Sequence, residues 1–142
     1  TAGIVSDITQ RASRVGRTVR CAAFPFVLWR DSEDEAQSEL AKIIQHKDEV
    51  AAQNWLDGLA IGSGSFDQFT LDMMTVGAGA VHVIGTAEQV AIKIKEMHDG
   101  GLNGILMVFQ AYLNDTMRFK KDIMPILYEM GVITGFDKNK GE

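Results

Sequence analysis

An apolar run that meets a glycine, a hydroxyl and then an acidic helical segment can bind an anion or can simply turn. Residues 82–90, HVIGTAEQV, are such a place. A helix N-terminus carries free N–H groups and a partial positive charge, so a phosphate beside Thr86 is chemically reasonable. The competing use is internal. Thr86 followed three residues later by Gln89 spells a capping box, whose side chains satisfy those same groups. The spacing favours the cap. It also lacks the glycine pattern of a dinucleotide fingerprint or a Walker loop. VGAGA, residues 76–80, is a looser glycine pattern that reads either as a loop over a ligand or as a connector. Gly77, Gly79, His82 and Thr86 are the candidate cofactor contacts of this region.

Other chemistries find less support. His46, His82 and His98 show no metal-ligand spacing, and no metal site is expected. His82, inside a strand, suits a satisfied core or cleft histidine better than a ligand. GSGS at 62–65 precedes an aromatic segment instead of following a strand, so it is no nucleophile elbow. The carboxylates of DSEDE, residues 31–35, read as a solvated first helical turn, and the methionines as core filler. No catalytic acid or base emerges.

An apolar pocket is better supported. On the strand around FPFVLW, Phe24, Phe26 and Leu28 share one face by period two. That face lines a pocket or fills a core. Phe109, Gln110 and Tyr112 follow the last strand and set hydrogen-bonding groups beside apolar walls, as small-molecule sites require. Phe24, Phe26, Phe109, Gln110 and Tyr112 are the candidate substrate contacts.

The elements that must position these residues alternate. A helix is expected over 4–15, with Ile4, Ile8, Ala12 and Val15 as its apolar positions and Gly16 as its stop. A buried strand follows over 18–29, in which Pro25 marks a bulge or a frayed end. Ser32 and Glu35 spell a capping box for the next helix, with Leu40, Ile43 and Ile44 inward. Residues 48–60 extend it or start another, and 66–76 form a short helix. Strand 80–84 then leads to a helix with Val90, Ile92, Ile94 and Met97 as its apolar positions, stopped by Gly100 and Gly101. GILMVF, 104–109, is continuously apolar, as a strand buried on both faces should be. A last helix runs from Asn114 or Thr116 to Met130, kinked or split at Pro125. This alternation predicts βαβ units and a parallel sheet, either Rossmann-like or part of a barrel.

With 46% hydrophobic and 23% charged residues, the 142-residue chain is expected to fold, except for a flexible tail over about 135–142. A formal charge of −5 argues against nucleic acid despite Arg11, Arg14, Arg17 and Arg20. No apolar run reaches the roughly 18 residues of a membrane span. A single cysteine, Cys21, and no signal-peptide pattern suggest a cytoplasmic protein. The absence of an initial methionine suggests processing, or a piece of something longer.

Taken together, residues 83–127 resemble the C-terminal part of the bacterial-luciferase-like flavin monooxygenases. Gly85, Thr86, Glu88, Gln89, Val90, Ile94, Gly101, Gly104, Phe109, Leu113, Arg118, Phe119, Pro125 and Leu127 fit that pattern. RTVRCAAFPFVLWRDSEDEAQ resembles the family's sixth barrel strand and the acidic helix after it. The likeness implies that residues 1–142 are the C-terminal part of one (β/α)8 TIM barrel. It also implies reduced FMN supplied by a flavin reductase, dioxygen, a small-molecule substrate and a homo-oligomer. The nearest likeness is to monooxygenases of organosulfur compounds and pyrimidines. Alkanesulfonate enzymes carry an Arg and a His where Phe24 and Phe26 stand, and a Tyr where Gln110 stands, so a neutral substrate is expected. The first five strands are absent, which implies an N-terminal half on another chain or a missing segment, and no activity without it. The rival readings are a non-catalytic assembly module derived from the barrel and a deazaflavin-dependent oxidoreductase.

Overall fold

A computed structural model describes residues 2–58 and 67–135. The expected alternation is present. In chain order it runs α1 (Ala2–Arg14), β1 (Ala22–Ala23), β2 (Pro25–Trp29), α2 (Glu33–Gln45), α3 (Glu49–Gly58) and α4 (Gln68–Thr75). β3 (Val81–Gly85), α5 (Ala87–Asp99), β4 (Gly104–Ile105), α6 (Tyr112–Asp122) and α7 (Met124–Glu129) follow. The GSGS segment, and the tail beyond Gly135, lie outside the described residues.

All pairing is parallel. β2 pairs with β3 from Pro25↔Val81 to Trp29↔Gly85, and β1 pairs with β4. A bridge between Phe26 and Val108 continues the β4 side. The stretch 22–29 is therefore central, with 81–85 on one side and 104–108 on the other. Pro25 explains why the second ladder comes in pieces. Val108 N–H donates to the Pro25 carbonyl at 2.8 Å and Val27 N–H to the Val108 carbonyl at 2.9 Å. Pro25 itself has no N–H to give on that side. The proline thus sits inside the central strand, not at a frayed end. The expected strand over 18–29 is shorter, beginning at Ala22.

Helices cover both faces of these strands. Val27, Trp29 and Val83 pack with Val90, Ala91 and Ile94 of α5, Phe119 of α6, and Ile123 and Leu127. On the other face, Phe26 and Leu28 pack with Val76 and Ala80, and Leu40, Ile43 and Ile44 of α2 close over them. Burying a side chain such as Leu28 stabilises the fold by roughly 1.5–3 kcal/mol. The central strand is therefore the main anchor of both layers. Its position differs from the expectation for three successive barrel staves, which would place the second strand in the middle. Here the first strand is in the middle, paired on both sides.

Local chemistry sets the helix ends. Ser32 accepts from Glu35 N–H at 3.2 Å, a single cap bond without the expected reciprocal one. At α5 the box is complete: Thr86 N–H donates to Gln89 Oε1 at 2.8 Å and Gln89 N–H to Thr86 Oγ1 at 3.3 Å. Pro125 does split the last helix, sitting at the start of α7, where its missing N–H costs nothing.

Several apolar positions face solvent. Ile92 of α5 does so. α1 buries none of its residues, so Ile4 and Ile8 are exposed, as is Val15 just beyond its end. Residues 104–109 form an edge instead of a strand buried on both faces, with Leu106 67% exposed.

Candidate functional site

In parallel α/β sheets, ligands gather at the carboxyl ends of the strands. Here those ends are Trp29, Gly85 and Phe109, and the side chains just beyond them form a polar cluster. Arg30 N–H donates to the Gly85 carbonyl at 3.1 Å, tying two strand ends together. Its Nη1 donates to the Trp29 carbonyl at 2.7 Å. Nη2 lies 3.5 Å from Gln110 Oε1 and 3.6 Å from Glu39 Oε1. Gln110 Nε2 donates to Glu39 at 3.2 Å, and Lys42 reaches the other Glu39 oxygen at 3.6 Å. The cluster thus joins the loop after β2, the loop after Phe109 and the flank of α2. Gln89, beyond its capping role, donates to Glu33 at 2.8 Å.

The Gln110 hydrogen bond holds the Glu39 carboxyl below the usual glutamate range. Arg30 and Lys42 help, against some desolvation. Glu39 is therefore ionised at neutral pH and accepts hydrogen bonds. It is a poor proton donor, and Arg30 is no base. The cluster can bind and orient, not transfer protons. A lowered folded pKa contributes stability above the unfolded value of 4.5, lost as pH falls through the folded value. Glu39→Gln should therefore flatten the fall in Tm between about pH 5 and about pH 3. Asp67 and Asp99, also lowered by side-chain hydrogen bonds, add to the same slope.

Behind the cluster lies an aromatic group. Trp29 meets Phe109 and Phe119 edge-on, with ring centroids 6.1 and 6.0 Å apart, and Phe109 meets Tyr112 at 6.5 Å. Trp29 Nε1–H donates to Asp122 at 3.0 Å, and the Arg118 guanidinium lies 5.1 Å above its ring. Asp115, the one buried carboxylate among the described residues, accepts from Ala111 N–H at 2.8 Å and so fixes the turn into α6.

The structure brings Phe109, Gln110 and Tyr112 together at this end. Phe26 is on the opposite face, packed against Val76 and Ala80, and Phe24 lies half-exposed at the amino end of the strand. The candidate cofactor contacts are divided too. Gly77 and Gly79 precede β3 and Thr86 follows it. A Cβ at Gly77 would press on Phe26, and one at Gly79 on the Met74 sulfur, so both glycines serve a tight turn. His82 Nε2 lies 3.2 Å from the Val76 carbonyl and its ring meets Phe26 edge-on, a satisfied histidine. Thr86 is used in its capping box. Sequence reasoning missed Arg30 and Glu39; Arg30 had one signal, its place as the first residue after a strand.

A cavity of about 820 Å³ runs back from Phe109 beneath residues 103–109, against α5, α6 and α7. Ile105, Met107, Phe109, Met117 and Met124 form much of its wall. Among the described residues, no group of three or more His, Cys, Asp or Glu could hold a metal ion. No described helix is long and apolar enough to cross a membrane.

Parallel strands under two helix layers, with polar groups gathered at their carboxyl ends, define an α/β protein of the kind that takes a ligand at that edge. Residues 1–104 match the luciferase-like monooxygenase model, and the chain belongs to that family. It is 29% identical to the FMNH(2)-dependent dimethylsulfone monooxygenase of Pseudomonas putida over 135 residues, covering 89% of this chain and 37% of that protein. It is 23% identical to the sulfoquinovose monooxygenase of Novosphingobium aromaticivorans, covering 85% of this chain and 39% of that one. The fold is shared with DmoA from Hyphomicrobium sulfonivorans, at TM-score 0.76, 15% identity, 92% of this chain and 35% of the other. It is shared also with the long-chain alkane monooxygenase LadA, at TM-score 0.72, 21% identity, 99% of this chain and 36% of the other. The chain thus spans well under half the length of these relatives.

Proposed function

We propose that this chain is the C-terminal part of a two-component flavin-dependent monooxygenase. The complete enzyme uses reduced FMN from a separate reductase, and dioxygen, to oxygenate a small organosulfur or heterocyclic substrate within a (β/α)8 barrel. The observation that carries this reading is the match along 89% of the chain to an FMNH(2)-dependent dimethylsulfone monooxygenase. Phe24 and Phe26 add no cation to the strand, and Arg30 is already engaged with Glu39. A neutral substrate suits that arrangement.

The described residues do not by themselves fit FMN. A phosphate needs several free N–H donors or cations. Thr86 and Gln89 satisfy each other, Gly77 and Gly79 are closed over by Phe26 and Met74, and Arg30 faces a carboxylate. Reduced flavin would supply the electrons for oxygen activation; this chain would supply Phe109, Gln110 and Tyr112 as one wall. The phosphate site belongs to sequence beyond this chain, on the same polypeptide or on a partner.

That misfit is also what favours the rival, a non-catalytic assembly module. The intact mass of everything that copurifies with the chain under native conditions separates the two. A second polypeptide of order 200 residues, enough to complete a barrel, supports the enzyme. A soluble lone monomer counts against it.

A further inference from the structure

Three donors from separate parts of the chain converge on one carboxylate at the carboxyl ends of the strands. Glu39 Oε1 accepts from Gln110 Nε2 at 3.2 Å and lies 3.6 Å from Arg30 Nη2. Its Oε2 lies 3.6 Å from Lys42 Nζ. A guanidinium, a carboxamide and an ammonium around two oxygens are what a bound carboxylate, sulfonate or sulfate needs. Glu39 stands where such a ligand would stand. The donors are also held in place by bonds that do not involve Glu39. Arg30 is anchored by its N–H to the Gly85 carbonyl and by Nη1 to the Trp29 carbonyl. Its Nη2 lies 3.5 Å from Gln110 Oε1, which turns Gln110 Nε2 toward the carboxylate. Both ion pairs are longer than the roughly 2.7–2.9 Å of a tight charge-assisted bond, so the fold depends little on them. The Arg30 and Glu39 side chains are 26% and 24% exposed, open enough for a small solute to reach.

We infer that Arg30 and Gln110 form an oxyanion cradle that Glu39 fills, and that Glu39 is the residue that excludes anionic ligands from this edge. This deepens, and rests on, the reading of the strand ends as the substrate edge of an enzyme with a neutral substrate. An incoming anion meets a like charge and finds the Arg30 donors engaged. A neutral ligand meets no such repulsion and can still use the second N–H of Gln110 Nε2. Glu39 thus sets specificity through charge, without touching a reacting atom.

The test is carried out on the full 142-residue chain. Methanesulfonate and dimethyl sulfone, which differ by an oxyanion in place of a methyl group, are titrated at constant ionic strength. Binding is read from the NMR shifts of the Arg30 and Gln110 side-chain N–H groups. Glu39→Gln keeps the shape and removes the charge, and Glu39→Ala, well tolerated within a helix, is the second variant. Each should bind methanesulfonate about tenfold more tightly than the parent chain, with dimethyl sulfone unchanged. Adding Arg30→Gln to either should abolish the gain. No gain in either folded variant overturns the inference, as does an equal gain for dimethyl sulfone. A gain that survives Arg30→Gln places the anion elsewhere and overturns it too. The titration needs neither flavin nor turnover, so its failure leaves the monooxygenase reading standing, and that reading fails separately on the mass of what copurifies.

Discussion

Trp29→Ala is expected to lower the stability of the chain by about 3–5 kcal/mol, enough to unfold much of it at room temperature. Trp29 is 3% exposed and ends the strand that both helix layers share. Truncation removes two edge-on ring contacts, the hydrogen bond to Asp122 and the surface under Arg118. The space left is bounded by Phe109 and Phe119, themselves 5.8 Å apart and too well packed to collapse inward freely. Trp29→Phe separates the terms. It keeps a ring and loses only the N–H, and Asp122 is open enough to take water instead, so the cost should be about 1 kcal/mol. Urea unfolding followed by circular dichroism measures both. If the alanine variant loses under about 1 kcal/mol, the central strand is not the anchor described here.

Gly85→Val is the second large effect, expected at about 2–4 kcal/mol. Gly85 has φ of +155°, a conformation that side chains rarely adopt. An added Cβ would overlap the Gln89 carboxamide oxygen and sit 3.0 Å from Gln89 Cβ. The Gln89 side chain must swing away, so its capping bond from Thr86 N–H and its bond to Glu33 are lost, while the Gln89 N–H keeps its bond to Thr86 Oγ1. Gln89→Ala removes the same bonds without the backbone strain and should cost only about 1 kcal/mol. The predicted order, Gly85→Val well above Gln89→Ala, is read from denaturant midpoints and from faster amide exchange at the start of α5. Equal costs would mean that Gly85 is a neutral spacer.

The capping box was legible in the sequence because its partners are three residues apart and the geometry of a helix start does the rest. The parallel alternation was legible for the same reason: periodicity is local. What escaped is non-local. Arg30, Glu39 and Gln110 meet only because the chain crosses over the central strand and returns, and Gln110 is 71 residues from Glu39. Strand order has no local signature either, so the central place of residues 22–29 was invisible, as was the division of Phe24 and Phe26 from Phe109. The burial of residues 104–109 is a different case. The apolar run was read as a covered strand, but no described element covers its Leu106, and the exposed Ile4 and Ile8 of α1 raise the same question.

The most direct test of the account is titration with FMN, oxidised and then chemically reduced, of the chain alone and of the chain coexpressed with its N-terminal complement. The account predicts no flavin retention by the chain alone, because its phosphate donors are already spent. It predicts stoichiometric retention by the assembled pair, with oxygen consumption once flavin is reduced. Tight flavin binding by the isolated chain, or none by a well-formed complex, would contradict it.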